Sequence, residues 1–138
     1  MTLINGIMHY DGLYGDDQGN YSSEYIFLEP IITRSKHFDW KIKPHIHNDL
    51  FQVFFVEEGT LDFVDAAGTR RLSAPSLIAI PPTKLHGLYY LPPVNGQILT
   101  ISRSIIDIGG VDVAVVITAS AFNCCNKRST VLRFFCSN

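Results

Sequence analysis

Residues 44–59 read PHIHNDLFQVFFVEEG, and this stretch decides the fold. Side chains two apart in a β-strand point to the same face, so His45 and His47 present two imidazoles to one side. The run that follows is rich in Phe and Val, which favour strands, and Gln52 is its one polar member before the acidic turn. Both faces of residues 51–56 are otherwise apolar, so we expect this strand to be covered on both sides.

Similar apolar runs surround this stretch, and each ends at Gly, Pro or acidic turn residues. Runs punctuated this regularly are typical of antiparallel strands joined by hairpins. The sequence therefore predicts an all-β protein, a small antiparallel β-barrel with little helix. The runs are YIFL (25–28), IITRSKHFDW (31–40), TLDFVD (60–65), SLIAI (76–80), HGLYYL (86–91) and GQILTIS (96–102).

Length and charge narrow the classes of function. The 138 residues, 46% of them hydrophobic, suffice for one core but not for two. A net charge of −2 lacks the basic excess of nucleic-acid-binding proteins, so we expect no direct nucleic-acid binding by this chain. No apolar stretch reaches the roughly 18–20 residues of a membrane span, and the N-terminus does not resemble a secretion signal, so a cytoplasmic protein is expected.

The chain divides into three parts. Residues 1–23 have no sustained period and are expected to be a loosely ordered lead-in without chemistry. Residues 24–108 form the barrel, and residues 109–138 form an atypical tail in which VDVAVVITA (111–119) is similar to a buried strand. Two interpretations of the tail stay open: an added strand that pairs with the barrel or with a second subunit, or an out-of-frame ending of a longer gene.

The three cysteines lie together in that tail, at Cys124, Cys125 and Cys136. An odd, clustered set is a poor disulfide framework, and without a nearby histidine it is also a poor zinc site. We expect free thiols.

A third imidazole comes from His86, which opens a strand after the turn around Pro81 and Pro82. Tyr90 shares the parity of His86, so its side chain is expected on the same face. A buried Gln52 must find a histidine, a water, a ligand or a metal, because an unpaired buried amide costs about 1–3 kcal/mol. The predicted ligand-binding residues are His45, His47, Gln52, Phe54, His86 and Tyr90.

Three neutral imidazoles and one amide oxygen suit Zn, Fe, Ni or Cu better than Mg or Ca. We therefore predict a site for one divalent transition metal, Zn, Ni or Fe. Its predicted ligands are His45, His47, Gln52 and His86. No nucleophile triad, phosphate loop or pair of acids is evident, so no catalytic residue is assigned.

The spacing resembles the two motifs of the cupin superfamily over residues 24–103. His45-x-His47, Gln52 and Gly59 are similar to the first motif, which has two His, a Glu and a Gly, and Pro81-x-Thr83-x-x-His86 is similar to the second. The resemblance implies a jelly-roll barrel whose motif residues bind one metal. Gln52 replaces the acidic ligand and Tyr90 the Asn that ends the second motif. The lost negative charge lowers the expected metal affinity and favours an anionic ligand.

Within that superfamily, HIHNDLFQVFFVEEGTLDF (45–63), LSAPSLIAIPPTKLHGL (72–88) and NGQILTIS (95–102) resemble the N-terminal effector-binding domain of AraC-type transcription regulators. The resemblance implies a domain that senses a small molecule, an aromatic or other organic acid, without catalysis. Nothing in residues 1–138 resembles the DNA-binding region of such regulators. The alternative is a stand-alone metal-dependent cupin enzyme, a dioxygenase or isomerase.

Two further expectations concern partners. Barrels of this size often pair through a sheet edge, so a homodimer is expected. Arginine grips a carboxylate with two parallel hydrogen bonds, which makes Arg34, Arg70, Arg71 and Arg103 candidates for an acidic ligand. Arg70 and Arg71 have the simpler interpretation that they mark the exposed end of a hairpin.

Overall fold

The computed structural model describes residues 1–15, 25–106 and 115–118, which form nine strands and one short helix. The strands are β1 (Thr2–Ile4), β2 (Ile7–Tyr10), β3 (Ile26–Pro30), β4 (Lys41–His47), β5 (Leu50–Asp65), β6 (Gly68–Ser73), β7 (Ser76–Ile80), β8 (His86–Ser102) and β9 (Val115–Thr118). The helix α1 (Ile31–Ser35) continues into a 3₁₀ turn over Lys36–Phe38. None of the helical segments in these ranges has the length and apolarity needed to cross a membrane.

Two long strands form the centre of the sheet. β5 and β8 pair antiparallel from Leu50 opposite Ser102 to Val64 opposite Gly87. Each then changes its second neighbour along its length: β5 pairs first with β7 and then with β6, while β8 pairs first with β4 and then with β3. Only β5 and β8 run the full length of the sheet. Because their outer neighbours change halfway, the two halves of the sheet can bend toward each other and enclose an interior.

The bend in β5 lies at Gly59, where the register with β8 shifts on either side of Glu58. Gly59 has φ +98°, and a Cβ atom there would lie 2.5 Å from the Pro93 carbonyl oxygen. Only glycine adopts this conformation without strain and allows this approach. Gly59 is the glycine of the first cupin-like motif, and this position therefore has a steric need for glycine in this chain.

Buried and more exposed side chains alternate along much of both long strands. In β8, His86, Leu88 and Tyr90 are all buried on one face. In β5, Gln52 and Phe54 are buried, whereas Phe55 is 38% exposed. The expectation that residues 51–56 are covered on both faces is therefore wrong for the described structure, because only the even-numbered face meets the core.

The core lies between the inward faces of the bent sheet and α1. Its buried members include Ile31 from the helix, Phe54 and Phe63 from β5, Ile78 from β7 and Leu88 from β8. Burial of side chains of this size supplies about 1.5–3 kcal/mol each, which is the main term that holds the sheet in its bent form.

The all-β prediction is confirmed, and the architecture is a cupin-like jelly roll. One detail differs from the expected barrel: among the described residues the pairing path β1-β2-β4-β8-β5-β7-β9 does not return to its start, and β2 pairs with β4 in parallel. The sheet is mixed because β2 and β4 pair in parallel, whereas the other strand pairs described are antiparallel.

The run 31–40, expected as one more strand, is instead α1 and the 3₁₀ turn. Pro30 stands at the N-cap with φ −63°, and Ile31 and Ser35, four residues apart on one helix face, point inward. The turn ends where Asp39 and Trp40 adopt positive φ. The prediction of a strand for this run is therefore wrong, because its inward-facing residues follow a helical spacing of four and not the spacing of two of a strand.

The two chain ends also differ from a simple lead-in and tail. Residues 1–15 are not loosely ordered, because β1 pairs with β2 and β2 pairs with β4. In the tail, β9 pairs antiparallel with β7 from Val115 opposite Ala79 to Thr118 opposite Ser76. Residues 16–24, 107–114 and 119–138, with the three cysteines, lie outside the described structure.

Candidate metal and ligand site

Three histidines meet on the inner face of the sheet. His45 and His47 lie on β4, and His86 opens β8 directly opposite His45 in the antiparallel pairing. The ring centroids of His45 and His86 are 4.3 Å apart, and those of His47 and His86 are 5.3 Å apart. The sequence prediction that these imidazoles share one face is confirmed by their positions.

The Nδ1 atom of each imidazole contacts a backbone carbonyl oxygen. His45 Nδ1 donates to Lys43 at 2.7 Å, and His86 Nδ1 donates to Lys84 at 2.9 Å, in each case two residues back along its own chain. His47 Nδ1 donates to Gly12 at 2.7 Å. A carbonyl oxygen only accepts, so each Nδ1 carries the hydrogen and each neutral ring presents an Nε2 lone pair.

The Nε2 atoms converge. Those of His45 and His47 are 3.0 Å apart, and one nitrogen from each of the three rings fits within a span of 4.8 Å. The Nε2 atom of His86 is buried and has no hydrogen-bond partner in the described structure. Lone pairs of neutral rings repel at this distance, and a cation between them removes the repulsion.

The surroundings keep all three rings neutral. Burial lowers the pKa of His47 to about 3 and that of His86 to about 4, and for His47 the neighbouring His86 adds to the effect. Burial, followed by the charges of His86 and His47, also holds the pKa of His45 well below its usual value. Neutral imidazole is the form that binds metals, so near neutral pH no ligand has to lose a proton first.

These residues fit a divalent metal ion. The donor set is three buried neutral imidazoles, each oriented by a backbone carbonyl, and one of its Nε2 atoms lacks any other partner. Two nitrogens bound to one tetrahedral zinc at about 2.0–2.1 Å lie about 3.3 Å apart, close to the 3.0 Å between His45 and His47.

Gln52 lies on the same cavity wall as His45 and His47, as predicted. Its amide nitrogen donates to Thr100 Oγ1 at 3.1 Å, and the two residues are direct cross-strand neighbours on β5 and β8. Thr100, fully buried, is thus the partner that the buried amide requires, and the sequence analysis did not identify it. This bond orients the amide and leaves its oxygen as the acceptor that can contact an ion or ligand.

The cavity itself is small. The centre of a water molecule can occupy about 20 Å³ of it, which is room for one water or ion and far below the ~150 Å³ of a cavity that binds benzene. Phe54 and Tyr90, both predicted ligand contacts, line it, whereas His86 belongs to the imidazole cluster but is not among the residues that line the cavity. Its lining is Tyr14, Arg34, Ser35, Ile42, His45, His47, Gln52, Phe54, Tyr90 and Ile98.

Part of the site comes from the segment to which the sequence analysis assigned no chemistry. Besides the Gly12 carbonyl, Tyr14 packs its ring 4.5 Å from that of His45, and Tyr10 lies edge-on to His45 at 5.6 Å. No periodic signal could reveal these contacts, since they depend on the parallel pairing of β2 with β4.

Among the candidate arginines, one lines the cavity and two lie on an exposed hairpin. Arg34 holds buried Glu29 through two hydrogen bonds of 2.7 and 3.3 Å and lines the cavity. Arg70 and Arg71 pair with Asp65 and Asp62 on the exposed β5–β6 hairpin, which agrees with their simpler interpretation.

Comparisons with known proteins add neighbours at the level of the fold. No protein-family model and no curated protein matches the chain. Among solved structures, KdgF from a Halomonas species is 27% identical over 46% of this chain and 58% of its own, with a TM-score of 0.41. An apo ToxT variant from Vibrio cholerae is 10% identical over 86% of this chain and 53% of its own, with a TM-score of 0.40. Wild-type ToxT with bound unsaturated fatty acid is 12% identical over 82% of this chain and 36% of its own, with a TM-score of 0.36.

The chain thus spans less than two thirds of each of these proteins. KdgF is a cupin, and ToxT is an AraC-family regulator with an N-terminal effector-binding domain. The fold of this chain is a cupin-like jelly roll. None of these three TM-scores reaches 0.5.

Proposed function

We propose that the chain is a ligand-sensing cupin domain of an AraC-type regulator whose cavity is built around a three-histidine metal centre. The observation that carries this proposal is that three buried imidazoles each bring one ring nitrogen within 4.8 Å of the others, with each Nδ1 donating to a backbone carbonyl. A core needs no such arrangement for stability, because burial of three imidazoles with their lone pairs facing one another is unfavourable.

His45, His47 and His86 would hold the ion, and the Gln52 oxygen is the fourth candidate ligand. Zn, Ni and Fe suit such donors. When bound, the metal supplies a Lewis acid with positions open to a small oxygen ligand. The residues of this chain exclude bulk water, orient the imidazoles and keep them unprotonated.

The proposed effector is a small organic acid. All four candidate ligands are uncharged, so an ion held by them keeps its full positive charge and attracts an anion. A cavity of about 20 Å³ has room for one water or ion and none for an aromatic ring, and this disfavours the aromatic acid that the sequence resemblance suggested.

For a sensor, the ligand must bind two states of the domain with different affinity. The N-terminal segment is suited to this coupling, because the Gly12 carbonyl and the Tyr14 ring contact the histidines from the turn that follows β2, outside the strands of the sheet. We further propose that the chain acts as a homodimer and does not itself contact nucleic acid.

The second candidate is a metal-dependent cupin enzyme. It is favoured by one observation: three protein nitrogens leave coordination positions for a substrate. The chemistry is then carried by the ion, and the chain binds and orients the substrate.

One series of measurements tests the proposal and separates the candidates. The full chain, purified without a chelating column, is expected to contain close to one transition-metal ion per chain by elemental analysis. Small carboxylates are then expected to raise its thermal midpoint. Stabilisation without turnover supports the sensor, whereas O₂ uptake or product formation supports the enzyme. A protein that remains metal-free after incubation with Zn, Ni and Fe contradicts both.

A further inference from the structure

The outward face of the sheet, opposite to the histidines, carries a second set of apolar side chains. Phe54 points into the core, so Phe55 points outward, where its direct partners are Leu77 on β7 and Gln97 on β8. Directly opposed residues of paired strands share a face, so such rows run across the sheet. The next row, from β3 to β9, is entirely apolar and consists of Leu28, Leu99, Val53, Ala79 and Val115.

A groove lies on this face at the start of β7, and we call it the outer groove. The centre of a water molecule can move through about 370 Å³ of it, compared with about 20 Å³ in the histidine cavity. Leu28 is 60% exposed and Phe55 is 38% exposed. Large contiguous apolar patches on a protein surface mark places where another segment or molecule binds. The residues that define the outer groove are Leu28, Phe55, Glu57, Ser76, Leu77 and Gln97.

The last described strand ends beside this groove. β9 runs from Val115 opposite Ala79 to Thr118 opposite Ser76, and Ser76 lines the groove, so the residue after Thr118 starts at its rim. The far wall, β3, is four strand spacings from β9, about 19 Å at about 4.8 Å each, and about six extended residues span that distance. Residues 119–138 follow β9, so the length of this segment is sufficient to cross the groove.

The composition of residues 119–138 complements the groove. The segment contains Lys127, Arg128 and Arg133 and no acidic residue. Glu57 lines the groove, Glu58 is exposed next to it, and neither forms an ion pair with another described residue. A second copy of this face would bring further carboxylates to the same place, so charge favours the basic segment over a face-to-face dimer. The large apolar residues of the segment are Phe122, Val131, Leu132, Phe134 and Phe135.

We propose that the outer groove binds residues 119–138 of its own chain, whose apolar side chains cover Leu28 and Phe55 and whose basic side chains offset the charge of Glu57. The contact removes the apolar face from water and from other copies of the chain. It is independent of the proposed metal centre, because the histidines lie on the inward face of the sheet.

Limited trypsin digestion of the full chain tests this contact. Cleavage after Lys127, Arg128 and Arg133 requires the segment to leave the groove, so the rate reports how often the segment is free. Release of the C-terminal fragments is followed by mass spectrometry at several protein concentrations, with the thiols kept reduced. A synthetic peptide of residues 119–138 gives the cleavage rate of the unbound segment.

The variants place a charge in the groove or remove one. Phe55→Asp and Leu28→Asp each add a carboxylate to the apolar wall, and Leu28, at 60% exposed, is the substitution that the fold tolerates more easily. Glu57→Gln removes the acidic partner. Leu91→Asp is the matched control, because Leu91 is 40% exposed on β8, close to the 38% of Phe55, and does not line the groove. Thermal unfolding of each variant confirms that it is folded.

The segment in the wild type is expected to be cut at least about tenfold more slowly than the peptide. Phe55→Asp and Leu28→Asp should each raise the rate about tenfold, since an apolar contact is lost, and Glu57→Gln about twofold, since an exposed ion pair contributes little. Leu91→Asp should leave the rate unchanged.

Three results overturn the proposal. Cleavage of the wild type at the rate of the peptide shows that the segment is not bound. Protection that persists in both groove variants places the segment elsewhere on the chain. Protection that increases with protein concentration assigns the groove to another copy of the chain.

Discussion

The histidine cluster and the β5–β6 hairpin use ionisable side chains in opposite ways. In the cluster, His45, His47 and His86 are each no more than 2% exposed, and burial drives their pKa values down. On the hairpin, Arg71 and Asp62 form a two-bond ion pair in solvent. Water screens the pair on the hairpin, whereas the cluster concentrates unsatisfied lone pairs. A function that needs unprotonated nitrogen ligands therefore belongs to the cluster and not to the hairpin.

The largest expected effect is the loss of metal in His86→Gln. Removal of groups that only orient metal ligands weakens binding about 10- to 100-fold, so removal of a ligand should weaken it by more than about a hundredfold. Metal content after dialysis measures this. His37→Gln, which changes an exposed histidine on the 3₁₀ turn, is the control and should retain its metal. Equal metal content in the two variants would place the ion elsewhere.

The pH dependence of the metal-free chain is the next largest effect. The histidines have folded-state pKa values of about 3 for His47 and about 4 for His86, below the 6.5 of an unfolded histidine. Between these limits the unfolded state binds more protons, so the free energy of unfolding falls as pH drops from about 6.5 toward 4. Each histidine contributes up to about 1.4 kcal/mol per pH unit.

Urea unfolding at several pH values measures that slope, which should be shallower in His47→Gln than in the wild type. A wild-type free energy of unfolding that stays flat between pH 7 and 4 would show that the histidines are not buried as described.

A smaller loss is expected when the buried ion pair behind the cavity is broken. Glu29 is 4% exposed, while the Arg34 side chain is 23% exposed. Glu29→Gln leaves Arg34 without its charge partner, and partial solvation moderates the cost to about 2–4 kcal/mol. Chemical denaturation measures it. A change as small as that of a surface variant would mean that water already solvates the pair.

The smallest effect is expected on the hairpin. Arg71→Ala removes the partner of Asp62, whose pKa is held below its usual range mainly by the hydrogen bonds from Arg71. Because both groups lie in solvent, the unfolding midpoint should stay within experimental error at physiological salt. A loss comparable to that of Glu29→Gln would remove the contrast between the two regions.

The sequence predicted side-chain positions well wherever they follow from the alternation of faces along a β-strand. It placed His45 beside His47 and Tyr90 on the face of His86, and the cupin-like spacing correctly brought β4 and β8 together. The pairing of Gln52 with Thr100 was hidden because it depends on the register between strands that are 48 residues apart at this point.

Other parts of the site carried no periodic signal. The carbonyl of Gly12 orients His47, and a backbone oxygen leaves no mark in a sequence. Ser35 was hidden inside a run that seemed to be a strand, and only the helical turn after Pro30 points its hydroxyl into the cavity. The size of the cavity likewise depends on packing, so the sequence alone could not limit the ligand.

X-ray absorption at the zinc edge of the zinc-loaded chain tests the central claim most directly. We expect a shell of about three imidazole nitrogens at about 2.0–2.1 Å, with oxygen ligands completing the site. A shell dominated by sulfur at about 2.3 Å would assign the ion to Cys124, Cys125 and Cys136 and would contradict a metal centre at His45, His47 and His86.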